Sequence, residues 1–293
     1  MESIVEVLKK AVGMLKQGKH TDTPVLDAEL ILLHAMKGSG RNFDRIKLIT
    51  QKDAELEEQT AKEYLKLIDE RNQGKPVQYI TNEQEFMGMP LYVAEGVLIP
   101  RPDTEIVVEK VLELVKSSDK LNIIDMCTGS GAIAVSLARN LAGSRLYAVD
   151  ISDIALKCCR VNVGKYNLEN RVQVIKSDLF EAMAGRGLEN AADIIVSNPP
   201  YIKNSEIEKL SINVRGYEPF LALDGGSDGL AYYRRICSDA HKYLRSGGLL
   251  AFEIGYEQGS AVKNIMEESG FYAGMDVERD LAGLDRCIWG YRV

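Results

Sequence analysis

One stretch of fourteen residues constrains the fold more than any other. Leu121-Asn122-Ile123-Ile124-Asp125-Met126-Cys127 reads as a buried strand, Thr128-Gly129-Ser130-Gly131 as a tight turn, and Ala132-Ile133-Ala134 as the start of a helix. The same alternation continues downstream. Strands are expected near 121–127, 145–150, 172–178, 192–197, 248–254, 272–279 and 286–292, with helices near 131–141, 153–166, 228–245 and 257–269. Alternating strands and helices predict an α/β domain on a mostly parallel, seven-stranded sheet. The last two strands follow each other without a long helical crossover, so that pair is expected to be antiparallel.

The chain before this domain has a different character. Ile4, Leu8, Ala11, Val12 and Leu15 recur at helical spacing and stop at Gly18. Thr23-Pro24 reads as an N-cap and first-turn proline for a second helix that runs to Lys37 and ends at Gly38. Asp53 to Asn72 predicts a third, highly charged helix ending before Gly74 and Pro76. Residues 1–74 are therefore expected to form a small helical bundle. Val77-Gln78-Tyr79-Ile80-Thr81 and Leu91-Tyr92-Val93 are β-prone, with Gly88 and Pro90 between them, so residues 75–100 are expected to be a β-hairpin linker. A helix from about Asp103 to Lys116 then opens the α/β domain, residues 101–293.

Charge and cysteine usage narrow the function classes. The net charge is −7, and neither part is basic: 12 basic against 13 acidic residues up to Gly74, and 24 against 30 after it. Nucleic acid is thus disfavoured as the direct substrate, and a protein or small molecule favoured. Five cysteines without Cys-x-x-Cys spacing read as reduced thiols, and His20, His34 and His241 show no ligand pattern, so no metal is expected. Acids at Glu2 and Glu6 do not suit a secretory signal, and no apolar run is long enough for a membrane span. A soluble, cytoplasmic monomer is the expectation.

The Gly-rich turn and the next strand point to an adenosine-containing cofactor. Glycines let backbone approach a ligand closely, and Asp150, ending the strand Arg145-Leu146-Tyr147-Ala148-Val149, can accept both ribose hydroxyl protons. Gly129-x-Gly131-x-x-Ala134 followed by an acid is equally a nicotinamide-dinucleotide fingerprint, so this end alone leaves two cofactor classes open. Asp178, at the end of the third strand, is a candidate partner for an adenine amino group or else a helix cap. Leu179 and Phe180 are candidates for its ring face or for the core.

Asn198-Pro199-Pro200-Tyr201 supplies the chemistry. It matches a signature with which methyltransferases hold a planar NH2 group, and it follows the strand Ala192-Asp193-Ile194-Ile195-Val196, at the sheet end where α/β folds bind ligands. A carboxamide nitrogen is a poor nucleophile because its lone pair is delocalised into the carbonyl. Asn198 Oδ1 and the Pro199 carbonyl are two acceptors that can each take one N–H of such a group, and proline's fixed φ holds its carbonyl in place. Tyr201 is expected to lay its ring on the planar target. Transfer would be a direct in-line displacement without a covalent enzyme intermediate.

With both ends in place the chain resembles, along nearly its whole length, the peptide chain release factor N5-glutamine methyltransferases. The matching segments are Gly74-Lys75-Pro76-Val77-Gln78-Tyr79-Ile80, Leu98-Ile99-Pro100-Arg101-Pro102-Asp103-Thr104-Glu105, Thr128 to Ala134 and Asn198 to Ile202. Further ones are Glu218-Pro219 with Ala222-Leu223, Gly225-Gly226 with Asp228-Gly229-Leu230, and Gly283-Leu284-Asp285-Arg286. The resemblance implies a Rossmann-like domain that uses S-adenosylmethionine, releases S-adenosylhomocysteine and methylates the glutamine of the Gly-Gly-Gln motif in class-1 release factors. The helical domain would help to dock that protein. Family cofactor roles fall on Cys127, Thr128, Gly129, Ser130, Gly131, Asp150, Leu179 and Asn198, and target-binding roles on Asn198, Pro199, Pro200 and Tyr201. Two departures are visible: Cys127 and Asn82 stand where the family commonly has glycine. Rival readings are a ribosomal-protein glutamine methyltransferase, a DNA adenine methyltransferase with a similar loop, a nicotinamide-dependent oxidoreductase and a non-catalytic adenosine-binding module.

Overall fold

In the computed structural model, residues 2–18, 20–41, 43–115 and 120–293 are described, and the chain divides into two compact units. One comprises Met1–Glu83 with Leu210–Tyr217, the other Gln84–Lys209 with Glu218–Val293.

The first unit begins with α1 (Ile4–Gly18), α2 (Pro24–Gly38), α3 (Arg45–Thr50), α4 (Glu58–Asn72) and α5 (Val77–Thr81). Ile4, Val7, Ala11 and Leu15 share one face of α1 and are buried with Ile31 and Leu32 of α2 and Tyr64 and Ile68 of α4. Tyr64 donates its hydroxyl to the Ala28 carbonyl at 3.0 Å, and Arg71 forms a buried 2.7 Å ion pair with Asp27. Thr23 stands at the N-cap of α2, but its hydroxyl donates to Asp27 Oδ1 at 3.1 Å instead of accepting from the first turn.

Two elements differ from the sequence expectation. The third long helix starts at Glu58, not Asp53, because the preceding backbone is committed elsewhere. The Ala54 carbonyl accepts from Ile4 N–H and Leu56 N–H donates to the Glu2 carbonyl, both at 3.0 Å. The β-prone run Val77–Thr81 is a helix. It follows Pro76, buries Tyr79 and Ile80, and ends at Asn82, whose left-handed φ of 54° reverses the chain. Strand propensity measures fit to a pleated surface, and here the available surface is helical.

The hairpin is formed one step later, by β1 (Glu83–Phe86) and β2 (Met89–Tyr92). Its turn residues Met87 and Gly88 both have positive φ, 50° and 68°, the turn class that matches strand twist. Glu105 Oε1 holds the strained Met87 by accepting its N–H at 2.6 Å. Next come α6 (Pro102–Leu114), β3 (Asn122–Met126), α7 (Ala132–Asn140), β4 (Arg145–Asp150), α8 (Asp153–Lys165), β5 (Val172–Lys176) and β6 (Ala192–Ser197). The expected end of α6 at Lys116 lies outside the described residues. Three short helices absent from the sequence reading follow: α9 (Asn204–Ile207), α10 (Ile212–Arg215, part of the first unit) and α11 (Phe220–Leu223). The chain closes with α12 (Ala231–Ala240), β7 (Leu244–Glu253), α13 (Gly259–Ser269), β8 (Tyr272–Arg279) and β9 (Asp285–Arg292).

The seven-stranded sheet has the order β5-β4-β3-β6-β7-β9-β8. Strands β5, β4, β3, β6 and β7 run parallel, and β9 lies antiparallel between β7 and β8, as the missing crossover predicts. Helices α6, α7 and α8 bury Val107, Leu137 and Val163 on one face, while α12 and α13 bury Ile236 and Val262 on the other. From β3 the chain winds outward first to one side and then, through β6, to the other. A crevice therefore opens at the carboxyl ends of β3 and β6. No described helix is long and apolar enough to cross a membrane.

Candidate active site

The turn after β3 is built for close approach to its backbone. Cys127, Gly129 and Gly131 have φ of 62°, 57° and 82°. A β-carbon at Gly131 would lie 2.7 Å from Cys159 Sγ, so α8 packs where only glycine fits. At Gly129 a β-carbon would meet no protein atom closer than 3.9 Å, so the space in front of this backbone is open. Cys127 holds a conformation that costs an L-residue about 1–2 kcal/mol. Short-range bonds fix the turn: Thr128 N–H donates to the Val149 carbonyl at 2.9 Å and Gly131 N–H to the Thr128 carbonyl at 2.8 Å. Beneath them the fully buried Asp125 accepts the Thr128 hydroxyl at 2.5 Å and Ala134 N–H at 3.0 Å. Burial pushes its carboxyl up to about 7 against these two bonds.

Asp150 ends β4 beside the turn. Its Oδ2 accepts Gly129 N–H and its Oδ1 accepts Ser152 N–H, both at 2.9 Å. Each oxygen keeps a second lone pair, and burial holds the carboxyl above its usual range in spite of the bonds. Ile151, 45% exposed, and Leu179, in a left-handed conformation at φ 48°, give the same cavity apolar walls. Asp178 lines it too, with Oδ1 2.9 Å from Arg235 Nη2.

Asn198 enters the cavity from the end of β6. Its Nδ2 donates to Thr104 Oγ1 at 3.1 Å, and that hydroxyl donates to Glu253 Oε2 at 2.5 Å. Tyr201 turns its hydroxyl to Glu253 Oε1 at 3.2 Å, and its ring packs against the core. Burial and the neighbouring Glu253 push the Tyr201 phenol well up, so it stays a donor. Gln258 Nε2 fixes the loop's backbone by donating to the carbonyls of Tyr201 and Gly229 at 3.0 and 3.2 Å. The glycines of the 225–229 segment allow this packing. A β-carbon at Gly225 would stand 2.7 Å from Tyr201 Cα, and one at Gly229 would stand 2.5 Å from the Tyr201 carbonyl oxygen.

Of the residues singled out in the sequence, Cys127, Thr128, Gly129, Ser130, Asp150, Asp178, Leu179, Asn198 and Pro200 line this one cavity, whereas Gly131, Pro199 and Tyr201 are not on its wall. Sequence reasoning missed Ile151, Thr104 and Glu253. Ile151 carried a signal, an apolar residue directly after a strand-end acid. Thr104 lies within a segment that carried the resemblance, while Glu253 looked like one more residue of an apolar strand.

Comparison with known proteins agrees on both parts of the chain. Residues 6–81 match the family described as PrmC N-terminal domain, and residues 104–214 match the methyltransferase small domain. The release factor glutamine methyltransferase of Clostridium acetobutylicum is 42% identical over 289 residues, covering 99% of this chain and 98% of that one. Among solved structures, the hMettl16 catalytic domain with an RNA hairpin has a TM-score of 0.54 at 18% identity, over 70% of this chain and 76% of that one. The Thermus thermophilus 16S rRNA methyltransferase RsmC, solved with AdoMet and guanosine, has a TM-score of 0.52 at 17% identity, over 72% and 50%. At these identities the structural matches establish a common fold and nothing about substrate.

Proposed function

The chain belongs to the release factor glutamine methyltransferase family, and we propose that it methylates the side-chain nitrogen of the Gly-Gly-Gln glutamine in class-1 peptide chain release factors. The observation that carries this reading is the convergence of Asn198 and the Gly129 turn on one cavity, with the Asn198 amide held by Thr104. S-adenosylmethionine suits the residues present: an open glycine backbone, an acid at the ribose position and apolar walls at Ile151 and Leu179. When bound it supplies a methyl group on a positively charged sulfur, which becomes a neutral thioether as the target nitrogen takes the methyl.

The rest of the reaction belongs to this chain's residues. Asp150 would hold the ribose hydroxyls of the cofactor, the Cys127–Gly131 turn would offer it backbone, and Asp178 and Leu179 would receive its base. Asn198 Oδ1, on the cavity wall, accepts one N–H of the glutamine amide, and the Pro199 carbonyl, next in the loop though off that wall, accepts the other as the glutamine enters, which turns its lone pair toward the methyl. Pro200 and Tyr201 keep the loop rigid. The amide N–H becomes acidic only as the new bond forms, so its proton leaves to water after the transfer with no strong base acting beforehand, and the activated sulfur makes a metal unnecessary. Residues 1–74 serve to dock the release factor, 75–100 as a linker and 101–293 as the methyltransferase domain, working as a cytoplasmic monomer. Neither nucleic acid nor membrane takes part directly.

The test incubates the protein with methyl-labelled S-adenosylmethionine and, in separate reactions, a release factor, a ribosomal-protein substrate and DNA. Label on the release factor that vanishes when its Gly-Gly-Gln glutamine is replaced is the expected result. Label confined to ribosomal protein or DNA overturns the reading.

A further inference from the structure

Three side chains from distant segments form a directed chain of hydrogen bonds that ends at the cavity. Glu253, at the end of β7, is 1% exposed, and Thr104, on α6, is 4% exposed. Thr104 Oγ1 lies 2.5 Å from Glu253 Oε2 and 3.1 Å from Asn198 Nδ2. A threonine hydroxyl has one proton, and an ionised carboxylate only accepts. The proton therefore points to Glu253, and Thr104 has only a lone pair left for Asn198. Of the two ends of the Asn198 amide, only the NH2 can answer a lone pair. Its oxygen is thereby left as the free end.

We propose that Glu253, acting through the Thr104 hydroxyl, sets which end of the Asn198 amide is offered to the target and is a positioning residue for the methylated nitrogen. This rests on the reading of Asn198 Oδ1 as an acceptor for the substrate NH2. With Glu253 protonated the chain can reverse: the carboxyl donates to Thr104, Thr104 donates to Asn198 Oδ1, and the asparagine NH2 faces the target NH2. Two donors then oppose each other and the orientation is lost. The two orientations of a primary amide have nearly the same shape, so the charge on Glu253 chooses between them.

Glu253 is poised for such a choice. Burial raises its carboxyl from the ordinary range to about 7, with the bonds from Thr104 and Tyr201 opposing. The other charged and titratable groups around it come from several elements. Asp103 of α6 raises it, Arg286 of β9 lowers it, Cys287 of β9 and Tyr233 of α12 stand close, and the Tyr233 hydroxyl donates to the Glu253 main-chain carbonyl at 2.9 Å. The sign follows directly. The acceptor arrangement requires the ionised form, so it is gained as pH rises through about 7 and lost below it.

The first test needs no substrate. In 15N-labelled protein, the Asn198 side-chain NH2 resonance, assigned by its disappearance in Asn198→Asp, should titrate near neutral pH in the wild type. It should stop titrating in both Glu253→Gln and Thr104→Val. A resonance that titrates unchanged in Glu253→Gln, or does not titrate in the wild type, overturns the proposal. The second test uses turnover of the release factor with cofactor saturating. Thr104→Val is expected to lower kcat about 10- to 100-fold with cofactor affinity within about 3-fold of wild type. Thr104→Ser should restore kcat, and Glu253→Gln should remove the acid limb of the kcat profile. Wild-type kcat in Thr104→Val, or an acid limb that persists in Glu253→Gln, overturns it. Wild-type protein that never labels a release factor would instead refute the substrate reading, and the resonance test would still decide the hydrogen-bond chain.

Discussion

The two walls of the cavity are held in different ways. On the cofactor side, turn residues Thr128, Gly129 and Gly131 are fixed by backbone groups of β4 and of the turn itself and by the carboxylates of Asp125, within β3, and Asp150, at the end of β4. On the amide side, Asn198, on the wall, and Tyr201, behind it in the same loop, are fixed by side chains from α6, the end of β7 and the loop before α13, across sequence separations of 94, 52 and 57 residues. A wall held largely by backbone exposes only its two carboxylates, Asp125 and Asp150, to side-chain substitution. A wall made of a side-chain chain fails when one member is lost, because each group left behind is buried without a partner.

The largest break in this comparison is expected at the amide wall. Asn198→Ala removes the oriented acceptor and should lower kcat by about 10²- to 10³-fold. Cofactor affinity measured by calorimetry should stay within about 3-fold of wild type, since the main role of Asn198 is to orient the target amide. An equal fall in both quantities would mean that Asn198 serves mainly to bind cofactor. Asp150→Asn is the matching cut at the other wall. It weakens charge-assisted bonds of about 1.5–3 kcal/mol, so cofactor should bind about 10- to 100-fold more weakly. The kcat at saturating cofactor should change far less. A large drop in kcat with unchanged affinity would erase the distinction between the walls.

Smaller effects test whether the turn depends on its one non-glycine residue at positive φ. Cys127→Gly relieves left-handed strain and should be neutral or stabilise the protein by up to about 1 kcal/mol, after the entropic cost of glycine is set against it. Thermal unfolding reads this directly. A clear loss of stability would show that the thiol, packed at the edge of the core, contributes more than the backbone strain costs.

The structure bears on the two positions at which the resemblance expects glycine. Cys127 and Asn82 both have positive φ, 62° and 54°, the region in which glycine is free of steric cost. Asn82 is the milder departure because asparagine visits this region more readily than most residues. Neither residue type announces its backbone angles; only the resemblance singled the two positions out.

How legible each part was follows from the range of the forces involved. The strands β3 to β9, the Gly-rich turn, the acid at Asp150 and the antiparallel closing pair follow from local periodicity, turn chemistry and connection length, so the sequence alone determined them. The placement of Asn198 at a sheet end followed from the same logic. Val77–Thr81 shows where it stopped: five β-prone residues became a helix because Pro76, Asn82 and the burial of Tyr79 and Ile80 outweighed propensity. Tyr201 shows it again, with its hydroxyl drawn to Glu253 and its ring to the core. Tertiary structure alone decided that Glu253, Thr104 and Asn198 would meet. A buried carboxylate must find donors wherever folding brings them, and no local pattern records a partner 149 residues away.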